Sequence, residues 1–236
     1  MIKELVRKAF QLIGFEISKV SPNRFNPAYL AQISSPETVI DVGVGFGTEE
    51  LYKAYPASRF ILIEPLEDYK PAHAKIMKNY NCEVYYKGLG SRECTEEIEI
   101  DKDNMQLSSL KNRTSLTQKE HTTETRQVQI TTLDNIFMPL YENGKIASPV
   151  LLKIDTEGYE LEVLKGAEKT LQYIETLIME ISVAKRFEDS YNFEDIILFL
   201  KEHGFYVYSF LHMVHPKNEL RTRLVEMAFK KVGPTA

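Results

Sequence analysis

The sequence predicts an α/β fold built on a doubly wound, mostly parallel seven-stranded sheet. Three observations predict it. Short apolar runs alternate with segments long enough for helices, a glycine-rich turn follows the first run, and the last two runs lie too close together for a helix between them. The final strand is therefore expected to run antiparallel to the others.

The elements follow in order. Ile2, Leu5, Val6, Ala9 and Ile13 recur at helical spacing and stop at Gly14, so an N-terminal helical cap is expected within residues 1–30. Beyond the connector SPNRFNPAYL, the runs TVIDVG (38–43), RFILIE (59–64) and CEVYYKG (82–88) read as buried parallel strands. Residues 91–149 are charged and Thr-rich, with short strands expected at EEIEI and VQITTLD, and read as an insertion between strands three and four, facing the substrate. The series resumes with VLLKID (150–155) and TLIMEIS (176–182), separated by a helix carrying Leu161, Leu164, Ala167, Leu171 and Ile174 on one face. A further helix from Phe193 to His203 ends at Gly204, and FYVYSF and RLVEMAFKK close the sheet.

The chain has 236 residues, 43% of them hydrophobic, enough for one domain with a full core. Its net charge of -5 and pI near 5.7 argue against a nucleic-acid partner, which calls for a basic face. The tetrapeptide NPAY (26–29) resembles an adenine-methylating motif, but no apolar strand precedes it. The N-terminus spreads charges among its apolar residues, unlike a signal peptide or membrane span, so a cytoplasmic location is expected. Cys82 and Cys94 lack metal or redox spacing and read as reduced thiols.

In VIDVGVGFGTEE, Asp41, Gly43, Gly45 and Gly47 lie between a strand and a helix, where glycines allow a tight turn and close backbone approach to a ligand. The spacing DxGxGxG departs from the GxGxxG fingerprint of nicotinamide and flavin enzymes. Glu64, 23 residues beyond Asp41, ends the second strand and is followed by Pro65; an acid there accepts the hydroxyl protons of a ribose. S-adenosylmethionine, with a ribose and no phosphate, fits better than NAD. Leu89, in the loop GLGS, marks where the adenine is expected. A tight turn without a ligand remains the plainer reading of these glycines.

The segments VIDVGVGFGT, ILIEP, ITTLDNIF and above all LLKIDTEGYELEVLKGAEKTL resemble the FkbM family of S-adenosylmethionine-dependent methyltransferases, over residues Thr38 to Ser182. The resemblance implies a Rossmann-like enzyme that methylates a hydroxyl of a sugar, glycan or natural product. It implies that Asp41, Gly43, Gly45 and Gly47 hold the methionine portion, Glu64 the ribose, and that Asp155 lies beside the methyl group. Ligands of open α/β sheets bind at these strand ends, which places Asp155 there independently.

A hydroxyl gains nucleophilicity from a positioned base. Asp155 is the first candidate for that base or for orienting the acceptor, and Glu157 the second. The competing reading makes Asp155 or Thr156 a helix cap, with Glu157 and Glu160 favouring the positive helix end. Glu180, a carboxylate inside an apolar strand, needs a partner or faces the acceptor. Lys153 pairs with an acid, and His212 and His215 are read into the loop between the last two strands, where either is an alternative base or a solvated side chain. Mg²⁺ on Asp155, Glu157 and Asp134 is not assigned, because nothing places Asp134 nearby. Ser108 and Ser109 read as family-like small residues or as a turn. A non-catalytic nucleotide-binding module and an NAD-dependent oxidoreductase stand as alternatives. The acceptor is not legible, nor is the oligomeric state.

Overall fold

The computed structural model describes residues 24–114, 122–216 and 220–231, together with Val6 and Leu12. The expected N-terminal helix otherwise lies outside the described residues. Seven strands form the main sheet: β1 (Thr38–Val42), β2 (Arg59–Ile63), β3 (Cys82–Tyr85), β7 (Val150–Ile154), β8 (Ile174–Ser182), β9 (Phe205–Val214) and β10 (Leu224–Lys231), in the order β3-β2-β1-β7-β8-β10-β9. The β1, β2, β3, β7 and β8 pairings are parallel, and β10 runs antiparallel to both β8 and β9.

Helices cover both faces. On one face α1 (Pro27–Ile33), α2 (Glu49–Ala54) and α3 (Lys70–Asn79) bury Leu30, Ile33, Leu51, Tyr52 and Ile76 against Val39, Phe60, Leu62, Leu151 and Ile178. On the other, α4 (Leu133–Glu142), α5 (Glu160–Lys165) and α6 (Phe193–Glu202) pack Phe137, Val163 and Ile196 against Ile40, Leu152 and Leu177. Strands β1 and β7 are buried along their whole length, which is why they read as continuous apolar runs.

Several elements differ from the sequence reading. The face from Leu161 to Ile174 is not one helix. α5 stops at Lys165 because Gly166 lies against the next layer, where a Cβ would sit 2.0 Å from the Gly90 carbonyl; a single 3-10 turn (Thr170–Gln172) follows, and Ile174 already belongs to β8. VQITTLD is strand only to Thr131. Thr132 accepts a hydrogen bond from the Asn135 amide and caps α4, a helix not foreseen. The run CEVYYKG is strand only to Tyr85; Gly88–Leu89 (β4) opens a second sheet of order β4-β6-β5, with β5 at Cys94–Asp101 and β6 at Thr123–Thr131. Ile98, Ile100, Val128 and Ile130 alternate along β5 and β6 and bury a third cluster with Leu66 and Tyr69. Asn26 of NPAY caps α1 and the Tyr29 hydroxyl bonds Ser209, so this tetrapeptide begins a helix.

Candidate active site

Strand order reverses between β1 and β7, and a crevice opens there at the carboxyl ends of the strands. It holds a cavity of about 400 Å³, within the range of small-molecule sites. Gly43, Gly45, Gly47, Glu64, Pro65 and Leu89 line one part of it, and Asp155, Glu157, Glu180 and Glu226 another. Residues 104–110 of the insertion contribute a further wall.

The glycine turn is held by a carboxylate and an imidazole. Glu64 is 5% exposed and accepts the Gly45 amide at 2.9 Å and the Leu66 amide at 3.0 Å. Each oxygen keeps a second lone pair, as a vicinal diol requires. Burial pushes the Glu64 carboxyl up to about 7 against the pull of those amides. His73, absent from the sequence reading, is buried and held below its usual pKa by burial. The neutral ring donates from Nε2 to the Gly45 carbonyl at 2.8 Å and contacts the Tyr86 hydroxyl through Nδ1 at 3.1 Å.

Asp41 is fully buried and is not on the cavity wall. It is the register partner of Lys153, whose Nζ lies 3.5 Å from Asp41 Oδ1 and 3.2 Å from Asp155 Oδ2. The Tyr52 hydroxyl donates to Asp41 Oδ2 at 3.4 Å, while Oδ1 has no well-formed hydrogen bond. Burial opposes the charge on Lys153, but Asp155, Asp41 and Glu226 outweigh it and hold the ammonium above its ordinary pKa.

The segment Asp155–Glu160 is a strained turn. Glu157 adopts φ +50° and Gly158 φ +100°, a conformation costly for a residue with a side chain. A Cβ on Gly158 would lie 2.5 Å from the Phe187 ring. Glu160, read as a surface residue favouring the helix dipole, is 2% exposed instead. Its carboxylate accepts the Thr156 amide at 2.9 Å and the Gly158 amide at 3.1 Å, so it holds the turn closed. Neither Asp155 nor Thr156 caps α5, whose N-cap is Tyr159. Glu160→Leu, which removes both acceptor oxygens and strands the Thr156 and Gly158 amides, is expected to cost at least about 1–3 kcal/mol in urea unfolding; an unchanged midpoint would show that the amides find other partners.

Glu157 is tied to Arg186 at 2.6 Å, and Arg113 lies 4.0 Å away. Burial pushes Glu157 up to about 7 despite Arg186. Arg186 also reaches Glu180 at 3.3 Å; burial and then Asp155 raise that carboxyl well above its usual range. Arg186 and Glu226 were not singled out in the sequence. A lone acid in an apolar strand, the feature that marked Glu180, also marks Glu226. Asp134 is committed elsewhere, accepting the Lys169 and Thr170 amides and the Thr170 hydroxyl. Ser109 donates to the Glu157 carbonyl at 2.6 Å and Ser108 to that of Met105 at 2.7 Å. His212 lies on β9, not in the following loop.

The family model described as the methyltransferase FkbM domain matches residues 41–207, from the buried acid of β1 into β9. The chain belongs to the FkbM methyltransferase family. S-adenosylmethionine is its cofactor. A 42-residue stretch of this FkbM chain is 48% identical to the hexuronic acid methyltransferase AglP of Haloferax volcanii, covering 18% of either chain, so the match spans under a fifth of that relative's length. Among solved structures, it is similar to magnesium protoporphyrin IX methyltransferase of Synechocystis PCC 6803 (13% identity, 98% of this chain and 97% of that one, TM-score 0.47). It is also similar to TehB of Haemophilus influenzae (10% identity, 87% and 61%, TM-score 0.48).

The walls suit a cationic, phosphate-free cofactor. Six carboxyl groups line the cavity, those of Glu50, Glu64, Asp155, Glu157, Glu180 and Glu226, against the ammonium groups of Lys87 and Lys153. No helix among the described residues is long and apolar enough to cross a membrane.

Proposed function

We propose that this FkbM methyltransferase methylates a hydroxyl group of a sugar, glycan or natural-product acceptor. The observation that carries the reading is the line of carboxyl groups at the strand ends. Ile154 pairs with Met179, and Glu180 pairs with Glu226, so Asp155, just past the end of β7, stands beside Glu180 of β8 and Glu226 of β10. A polyol finds hydrogen-bonding carboxyl groups side by side there, with Asp155 held in place by Lys153 at 3.2 Å. The short likeness to a hexuronic acid methyltransferase supports a sugar, and the carboxyl-lined wall suits its hydroxyls.

In this reading the backbone of Gly43, Gly45 and Gly47 holds the methionine portion, with Asp41 acting from beneath through Lys153. Glu64 takes the ribose, and Pro65 and Leu89 flank the adenine. Bound there, S-adenosylmethionine supplies an activated methyl group on a sulfonium. Asp155 orients the acceptor oxygen beside it, with Glu157 and Glu180 in reach as further acid-base groups. Lys153 donates to Asp155 at 3.2 Å and holds it in place, which supplies alignment.

Calorimetric titration with S-adenosylhomocysteine, with NAD⁺ in parallel, tests the cofactor half. Micromolar binding of the first and none of the second is expected. Glu64→Ala, which removes both ribose acceptors and frees the glycine turn, should weaken binding at least about 100-fold. Hydroxylated acceptors, hexuronic acids and their methyl esters among them, are then screened for S-adenosylhomocysteine release. Turnover with free carboxylates and none with the esters would sink the hydroxyl assignment.

A further inference from the structure

Four carboxyl groups, those of Asp155, Glu157, Glu180 and Glu226, line the part of the cavity assigned to the acceptor, and three of them are already committed to cations. Asp155 accepts from Lys153 at 3.2 Å, Glu157 from Arg186 at 2.6 Å, and Glu180 from the same guanidinium at 3.3 Å. A carboxyl oxygen that already accepts from a cation has a lone pair engaged and is less free to meet an acceptor hydroxyl. Glu226 differs. It lines the cavity from the antiparallel strand β10, half-buried, and among the described residues no hydrogen bond or ion pair engages its carboxyl group. Its carboxyl group is therefore open to the cavity, where a ligand can reach it.

Its direction follows from the ladder. Glu226 faces Glu180 across the β8–β10 pair, and Ala228, two residues on, packs in the same cluster as Ile178 of β8 and Leu151 of β7. It thus projects to the sheet face that carries Asp41 and Lys153, and stands at the acceptor end of the carboxyl line, remote from Glu64.

We infer that Glu226 takes the acceptor's proton during methyl transfer, while Asp155 orients the hydroxyl. The inference rests on the hydroxyl-methylation reading. The acceptor oxygen forms a bond to the methyl carbon as the carbon–sulfur electron pair returns to sulfur. The oxygen–hydrogen pair stays on oxygen, and the proton passes to the Glu226 carboxylate and then to solvent. Glu226 is suited to this because burial pushes it up to about 8; Lys153 opposes the rise, and Asp155, Glu50 and Asp41 add to it. Glu180 and His212 are its cross-strand neighbours. At pH 7 the carboxyl is mostly protonated, and a cation bound in the cavity favours its ionisation. The base is thereby readied by the loaded, cationic cofactor and not by its neutral product.

The test needs no acceptor. Proton release on binding S-adenosylmethionine and S-adenosylhomocysteine is measured at pH 7 by calorimetry in two buffers of different ionisation enthalpy. Glu64 meets the same ribose in both ligands, so its contribution cancels. The wild-type chain of 236 residues should release a sizeable fraction of a proton more with the sulfonium than with the thioether. The difference should vanish in Glu226→Gln and persist in Glu180→Gln. Glu226→Gln should keep its S-adenosylhomocysteine affinity within about threefold and melt no lower than wild type, since it alters a half-buried carboxyl group that holds no hydrogen bond or ion pair among the described residues. An equal release by both ligands in the wild type, or a difference that survives in Glu226→Gln, overturns the assignment. Failure of both ligands to bind the wild type overturns the cofactor reading beneath it, which is a separate result.

Discussion

Lys153→Met is expected to destabilise the protein by about 3–5 kcal/mol, because it removes one side of a buried ion cluster and leaves the other. Lys153 is 3% exposed and Asp41 is wholly buried. Without the ammonium group, Asp41 retains, among the described residues, the Tyr52 hydroxyl at 3.4 Å, and Asp155 loses the Lys153 hydrogen bond at 3.2 Å. Methionine fills nearly the same volume, so the loss is electrostatic and not a cavity effect. The pH dependence has a definite sign. An uncompensated buried carboxylate relieves itself by protonation, so the variant's deficit should be largest at neutral pH and shrink as pH falls through the carboxylate range. Combining Lys153→Met with Asp41→Asn removes the stranded charge and should recover much of the stability. Urea unfolding of the two single variants and the double variant checks this; a Lys153→Met protein within about 1 kcal/mol of wild type would mean that the cluster is not held as an ion pair.

The same cluster marks the boundary of what the sequence discloses. The apolar runs that became β1, β2, β7 and β8 were legible because strands buried on both faces leave little room for polar residues, and a lysine or glutamate inside one stands out. Lys153 and Glu180 were noticed for that reason, and the glycine turn and Glu64 for their spacing. Partners are another matter. That Lys153 bridges Asp41 and Asp155 depends on the β1–β7 register, and that Glu226 faces Glu180 depends on β10 reversing and inserting between β8 and β9. Neither fact is written in local periodicity. The burial of Glu160 was misread because an acid in the first turn of a helix ordinarily serves the helix dipole; here the two preceding amides turn inward and the side chain must follow them. The helix expected through Ile174 failed at Gly166 for a similar reason, since the approach of Gly90 comes from another layer. The fold was readable from each segment alone, but the site depends on what the topology sets beside what.

Gly43→Ala should abolish both ordered folding of the crevice and cofactor binding, and comparison with Gly45→Ala isolates the cause. Both glycines have positive φ, +77° and +53°. That conformation costs alanine about 1–2 kcal/mol at either position. The surroundings differ. A Cβ on Gly43 would lie 1.7 Å from the Asp155 carbonyl oxygen, a backbone atom fixed by the β7 ladder and by the Asp155 amide bonded to the Val42 carbonyl at 3.0 Å. No side-chain rotation relieves that overlap, so the ends of β1 and β7 must part, carrying Asp155 away from the glycine turn. A loss above about 4 kcal/mol is expected, in the range reserved for a broken core or strained backbone. The nearest atoms to a Cβ on Gly45 are the side chains of Gln106 and Tyr69 at 3.9 Å, and its amide can still reach Glu64. Gly45→Ala should therefore lose only about 1–2 kcal/mol and remain folded. Urea unfolding and S-adenosylhomocysteine titration of both variants decide the matter. Equal losses at the two positions would show that conformational strain alone governs this turn and that the close packing of β1 on β7 contributes nothing to the site.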